Sequence, residues 1–388
     1  MREFYIGLMS GTSLDGVDGV LAQWPAQSPA QSPAQRPAPG SAFAVHAFTH
    51  RPFAPPLRDE LLALNWSGAD EIHRAALAAN ALAREYATVV AALLEQARVG
   101  AADVAAIGAH GQTVRHRPGE FDGTGYTVQL LDGALLAERT HIDVVCDLRS
   151  RDVAAGGQGA PLVPAFHAAC LADRAADVAV LNVGGIANLT LLPAAGGVRG
   201  FDCGPGNLLM DLWCRRQRGQ PYDADGAWAA GGQIDQTLLR HWLREPFFDR
   251  APPKSTGRDL FDAAWLDAGL AAAGAATPAQ DVMATLAELT ARSAIDALRR
   301  HAPSTTRLWV CGGGAFNAHL MRRLAALTAL AGDRVSVATT AAAGLPPDQV
   351  EALAFAWLAR CFVARRPGNL PAVTGAVGPR VLGALYPA

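Results

Sequence analysis

The sequence contains a single lysine. Every other cation among its 33 Lys and Arg residues is an arginine, and 35 acidic residues bring the formal net charge to -2. That scattered balance supplies no basic block to hold a nucleic-acid backbone or a membrane surface. A Walker A loop is also excluded, because Lys254 stands in P-P-K-S-T-G-R and not in G-x-x-x-x-G-K-[ST]. Cysteine is sparse and scattered: Cys146, Cys170, Cys203, Cys214, Cys311 and Cys361 form no C-x-x-C pair. This argues against a disulfide framework or zinc site and for reduced thiols in a cytoplasmic protein. No run of about 18 apolar residues offers a membrane span, and the start M-R-E-F-Y-I-G lacks the apolar stretch of an export signal. The expected partner is a small molecule, with no nucleic acid and no membrane.

At 388 residues the chain exceeds what one core usually holds, so two lobes with a cleft between them are expected. Strand-like runs at Phe4–Met9, Gly16–Gln23 and Phe43–Thr49 open it as a β-meander. Between the second and third, residues 25–40 repeat P-A-Q-S with too few apolar side chains to pack, and read as a loop insertion. Helical spacing follows over 56–98. Four buried-strand runs then each end in polar or Gly-rich residues: Val104–Ala109, Val144–Asp147, Val178–Val183 and Leu308–Cys311. Ligands of open α/β sheets collect at such strand ends. No long repeat is visible, so any duplication must be structural.

The first corner, G-L-M-S-G-T-S-L-D-G-V-D, follows the apolar run Phe4-Tyr5-Ile6. Gly11 and Gly16 permit positive φ and close backbone approach, Thr12 and Ser13 add hydroxyl donors, and Asp15 and Asp18 suit Mg²⁺ or its waters. The segment reads as a nucleotide and metal loop, or else as a tight hairpin turn with solvated carboxylates. Asp202, in F-D-C-G-P-G-N, places a carboxylate at a strand end where partial desolvation would make it a base; an Asp closing its own turn is the plainer reading.

Together with L-N-V-G-G-I-A-N-L-T at 181–190 and V-C-G-G-G-A-F-N at 310–317, these segments resemble the phosphate and adenosine loops of the actin, hexokinase and Hsp70 superfamily. More narrowly, the chain resembles the anhydro-N-acetylmuramic acid kinase family. Further matches are G-A-H-G-Q-T-V-R-H at 108–116, A-A-G-G-Q-G-A-P-L-V-P-A-F-H at 154–167, P-P-K-S-T-G-R at 252–258, G-L-P-P-D-Q-V-E-A at 344–352 and G-N-L-P-A-V-T-G at 368–375.

The resemblance implies an α/β fold of two actin-like (ribonuclease H-like) lobes with an interlobe ATP and sugar cleft. The lobes are expected at 1–140 and 141–388, with the last residues a candidate to return to the first. It further implies ATP and Mg²⁺ as cofactors, a homodimer, and hydrolytic opening of 1,6-anhydro-N-acetylmuramic acid coupled to phosphorylation of O6. On these terms Asp202 is the catalytic base. The nucleotide loops comprise Gly11, Thr12, Ser13, Leu14, Asp15, Gly16, Val17 and Asp18, then Gly184, Gly185 and Asn188, then Gly312, Gly313 and Gly314. Sugar ligands are His110, Gln112, Thr113, Arg149 and Glu351. Arg149 suits a lactyl carboxylate, unless it, like Arg151, forms an internal ion pair with Asp147 or Asp152. The role of Lys254 and the metal ligands stay open. The rival readings are a kinase acting on a free hexose hydroxyl and a nucleotide-driven chaperone-like module.

Overall fold

The computed structural model describes residues 4–25, 43–257, 260–272, 277–330 and 335–388. Apart from Pro25, the Pro-Ala-Gln repeat lies outside them. The strands among the described residues are β1 (Phe4–Met9), β2 (Gly16–Gln23), β3 (Ala44–Pro52), β4 (Val104–Ala109), β5 (Gln112–Pro118), β6 (Gly125–Leu130), β7 (Val144–Cys146), β8 (Val178–Val183), β9 (Ile186–Leu192), β10 (Arg199–Pro205), β11 (Arg307–Cys311), β12 (Ser336–Thr339) and β13 (Ala384–Tyr386).

Two compact units result, one formed by Met1–Cys170 with Gln349–Ala388 and the other by Leu171–Asp348. The first holds a sheet of order β13-β7-β4-β1-β2-β3, the second a sheet of order β10-β9-β8-β11-β12. Each begins with a three-stranded antiparallel meander and adds parallel strands to the free side of its first strand. The shared order is the ribonuclease H-like pattern, so the duplication is carried by topology without repeated sequence. The division falls after Cys170 and not at 140/141, because β7 is hydrogen-bonded into the first sheet between β4 and β13.

The helical stretch at 56–98 is two helices, Pro55–Ala63 and Glu71–Ala97, separated where Asp70 turns left-handed at φ 53°. The second helix buries Leu82, Tyr86, Val89 and Leu93, a four-three-four spacing that makes one face. By length and composition it would pass for a membrane span, yet this face belongs to the first unit's core. A Cβ on Gly19 would lie 2.3 Å from Val89 Cγ1, which shows how closely the helix covers the sheet.

The other face of the sheet is covered by Val350–Val363, which arrives after the whole second unit. Here the approach is backbone to backbone. A Cβ on Gly7 would stand 1.8 Å from the Ala352 carbonyl oxygen, and one on Gly108 would stand 2.0 Å from that of Phe355. Two adjacent strands therefore carry glycine where the helix crosses, and the helix answers with Ala352, Ala356 and Ala359, all buried.

Because main chain cannot move aside as a side-chain tip can, Gly7→Ala is expected to cost about 3 kcal/mol or more, at or above the usual range for overpacking. Thermal unfolding of the purified variant checks this; an unchanged transition would mean that the contact is looser than described.

Candidate active site

The turn joining β1 to β2 is built differently from its sequence pattern. Positive φ falls on Leu14 (58°) and on neither Gly11 nor Gly16. Gly16 is needed for space, since its Cβ would meet the Arg51 carbonyl oxygen at 2.3 Å. Leu14 and Val17 point into the core, so only their backbone is available to a ligand. Thr12, Ser13 and Asp15 are exposed at the tip. Ser13 Oγ donates to Asp15 Oδ1 at 2.8 Å, and Asp18 Oδ1 lies 2.8 Å from His50 Nδ1.

Behind this turn lies a network that spans 100 residues of sequence. The backbone N–H of His110 donates to the Leu8 carbonyl at the end of β1. The His110 ring is buried, with Nδ1 3.2 Å from the Ser10 carbonyl, while Nε2 receives Arg149 Nε at 3.1 Å and Nη2 at 2.9 Å. A carbonyl can only accept, so the proton sits on Nδ1 and Nε2 is the acceptor. Burial first, then the Arg149 charge, lowers the His110 pKa to about 3 and keeps the ring neutral. Gln112 is buried too; its Nε2 donates to the Gly11 carbonyl at 3.1 Å, while Oε1 has no protein partner. Thr113, half-buried, accepts from Gln129 at 3.2 Å. Among the expected sugar ligands, His110 and Gln112 are thus turned inward against the first loop.

Arg149 is half-buried and forms no ion pair among the described residues. Its Nη1 donates to the Gly159 carbonyl at 2.8 Å. The Gly159 N–H donates to Asp152 Oδ2 at 2.8 Å, and Asp152 Oδ1 accepts from Asn369 at 2.7 Å and Thr374 at 2.8 Å. Asp152 is therefore spent on the backbone and on neutral partners, and Asp147 accepts from Ser150 Oγ at 2.5 Å; neither closes the ion pair that the sequence allows. Arg151 is exposed. Glu351, in the first turn of Val350–Val363, is open to solvent, yet the dense protein around it and then the Asp18 and Asp15 charges raise its pKa, with Arg149 opposing. Burial lowers the Arg149 pKa to about 10, which leaves it charged at neutral pH.

In the second unit the Gly-rich corners converge. The Gly184 carbonyl accepts from the Asn207 N–H at 2.8 Å, and that of Gly185 accepts from the Gly206 N–H at 2.9 Å. Gly312 has φ 77°, and its Cβ would touch Asn182 Oδ1 at 2.4 Å; a Cβ on Gly314 would touch Val183 Cγ1 at 2.3 Å. Cross-strand partners β8 to β9 to β10 align Asn182, Asn188 and Asp202 in one row. Directly opposed residues share a face, so the row is a polar stripe across an otherwise buried sheet. Asn182 is the member that the pattern reading omitted; two asparagines inside short strands, where the residue is disfavoured, were its signal.

Asp202 is set by the segment 252–256. Its N–H donates to the Lys254 carbonyl at 3.1 Å, and Oδ2 accepts from the Thr256 N–H at 3.0 Å. A register shift between Asp202 and Gly204 bends the strand beside it. Lys254 Nζ donates to the Phe247 and Phe248 carbonyls at 3.1 and 3.0 Å and lies 4.6 Å from the Phe247 ring centroid. The lone lysine thus pins the loop that holds Asp202. Burial pushes the Asp202 pKa up to about 6, against the Thr256 N–H and the Lys254 charge.

The family profile described as anhydro-N-acetylmuramic acid kinase matches residues 3–388. The chain belongs to this family. Proteins of that name from Variovorax paradoxus (58% identical, covering 100% of this chain and 99% of the relative) and Bordetella petrii (59%, 99% and 96%) are similar along their whole length. A third, from Cupriavidus pinatubonensis, is 57% identical over 99% of this chain and 98% of its own. Anhydro-N-acetylmuramic acid kinase membership therefore covers both units.

A raised carboxyl pKa has a cost in stability that can be measured. Asp202 titrates near 6 when folded and near 3.8 when unfolded, so the native state is favoured below 3.8 and loses that advantage as pH rises through 6. Asp202→Asn is expected to raise the unfolding temperature at pH 8 and to converge on the parent below pH 4. The gain is at most about 3 kcal/mol, lowered by whatever solvent reaches the carboxyl. Calorimetry at the two pH values checks it.

Proposed function

We propose that the chain is an ATP-dependent kinase that opens the 1,6-anhydro ring of 1,6-anhydro-N-acetylmuramic acid with water and phosphorylates O6, giving N-acetylmuramic acid 6-phosphate and ADP in the recycling of peptidoglycan. The observation that carries this reading, beyond family membership, is the placement of Asp202 on β10, half-buried, in one row with Asn182 and Asn188 and held by the Thr256 N–H. A carboxyl titrating near 6 is ionised at neutral pH and still basic enough to take a proton from water in the transition state. The water oxygen bonds to the anomeric carbon as the C1–O6 bond breaks. O6 leaves with the electron pair and attacks the γ-phosphorus, ADP departs, and the water proton rests on Asp202.

The remaining needs are recognition and charge control. The half-buried Arg149, held without a carboxylate against it, suits the lactyl carboxylate, and Thr113 and Glu351 suit the sugar's hydroxyl and acetamido groups. Gly184, Gly185 and Gly312–Gly314 supply backbone to the nucleotide, with Asn182 and Asn188 on the same stripe as Asp202. No group of three His, Cys, Asp or Glu side chains among the described residues forms a ready metal site. Mg²⁺ in phosphoryl-transfer sites takes only one or two carboxylates plus substrate phosphates, and Asp15 and Asp18, whose charges raise the Glu351 pKa, fit that donor set. The ion would neutralise phosphate charge. The six buried thiols agree with a cytoplasmic setting, and a homodimer is the assembly we propose by family resemblance.

Incubation with Mg-ATP and the anhydro-sugar in ¹⁸O-water, followed by mass spectrometry, tests the reaction. The product is expected to carry a 6-phosphate and one ¹⁸O at the anomeric hydroxyl, and Asp202→Asn to form none. No turnover by ATP-binding protein would favour the hexose-kinase or chaperone-like alternative. The kcat/KM profile is expected to rise with pH through about 6. Replacing Lys254 by Met removes a charge that lowers the Asp202 pKa and is expected to move that limb upward; an unmoved limb would assign it to another group.

A further inference from the structure

The arginine at the end of the Ser10–His110–Arg149 chain is held in an uncommon way. A half-buried guanidinium is ordinarily positioned by a carboxylate, which fixes it and cancels its charge. Here Nε and Nη2 meet the neutral Nε2 of His110, Nη1 meets the Gly159 carbonyl, and no ion pair to Arg149 forms among the described residues. Glu351 and Asp152 lie within electrostatic reach, but Asp152 is committed to the Gly159 N–H, Asn369 and Thr374. Of five guanidinium N–H groups, these contacts use three and leave one on each terminal nitrogen. Those two are free to donate to an approaching carboxylate.

We propose that His110 is a positioning residue for anion recognition: anchored through Nδ1 to the Ser10 carbonyl, it fixes Arg149 through Nε2 without neutralising it, so that the positive charge and the remaining terminal N–H groups are kept for the substrate's carboxylate. The inference rests on the proposed reaction, in which Arg149 receives the lactyl group. Its physical content is a choice of partner. An imidazole that is neutral and locked in one tautomer offers an acceptor lone pair, whereas an Asp or Glu at the same place would compete with the ligand for the charge. The first loop keeps anchors other than this ring, with Gln112 Nε2 on the Gly11 carbonyl and Ser10 Oγ on Tyr86 and the Gly111 carbonyl, so the ring's own contribution is to the arginine.

The test compares 1,6-anhydro-N-acetylmuramic acid with 1,6-anhydro-N-acetylglucosamine, the same bicyclic ring without the lactyl group, in the parent chain and in His110→Leu, His110→Gln and His110→Glu. Parent protein that turns over neither sugar, or both equally, contradicts the proposed substrate and not the role of His110. With a parent that prefers the carboxylate sugar, His110→Leu is expected to lower its kcat/KM ten- to a hundredfold through KM, with less than threefold effect on the neutral sugar and on the KM for ATP. His110→Gln, which restores a donor for Ser10 and an acceptor for Arg149, is expected to recover most of the preference. His110→Glu holds the guanidinium but spends its charge, and is expected to lose the preference as fully as Leu. Equal losses on both sugars in the Leu and Glu variants, or a Glu variant that keeps the preference, would overturn the proposal. Should the Leu variant fail to fold, the contrast between Gln and Glu decides alone.

Discussion

The first unit depends on a helix pressed backbone to backbone against a sheet. At Gly7 and Gly108 no side chain separates the strands from the carbonyls of Ala352 and Phe355, so helix and sheet are held at a distance that only glycine tolerates. The first turn of the helix is fixed by the same contact, and with it Glu351, whose pKa is raised by the surrounding protein first and then by the Asp18 and Asp15 charges, with Arg149 opposing. A packing constraint in the interior thus places charge at the site. The wide variation tolerated on an exposed helix face has no counterpart here, because both partners of the contact are main chain.

Each unit carries one kind of chemistry on the same topology. In the first, buried hydrogen bonds place an arginine and a loop of hydroxyls and carboxylates; in the second, Gly-Gly turns and a polar row surround a carboxyl of raised pKa. The turns that carry these features, β1 to β2 and β8 to β9, occupy equivalent places in two sheets of matching order. Equivalent corners have been filled with different residues: Thr12, Ser13 and Asp15 at one, Gly184 and Gly185 at the other. The fold supplies the position of a corner and the sequence decides what it offers a ligand.

Much of this was legible along the chain. β1, β2, β4 and β8 have the bounds that their apolar runs suggest, because each run ends abruptly in glycine or polar residues. What local pattern could not reveal were pairings between distant residues. His110 and Gln112 look like strand-end ligands until their partners Ser10, Gly11 and Arg149 are in place. The choice of Asp152 to cap Gly159 instead of pairing with Arg149 depends on Asn369 and Thr374, more than 200 residues away. Lys254, whose role the sequence leaves open, fastens two carbonyls. The left-handed residue of the first loop is Leu14, which a glycine-based expectation passes over.

The layout of the first unit also has a consequence for synthesis. Five of its six strands, β1 to β4 and β7, are made by Cys146, but the helix that covers Gly7 and Gly108 begins only at Val350 and the edge strand β13 comes later still, after the second unit has been translated. At roughly 5–20 residues per second, the nascent sheet waits some tens of seconds with one apolar face uncovered. The second unit, a continuous segment, has no such debt and can close on its own as it emerges. The second unit can therefore be finished before the first, and the segment from Val350 onward converts a half-covered sheet into a finished domain.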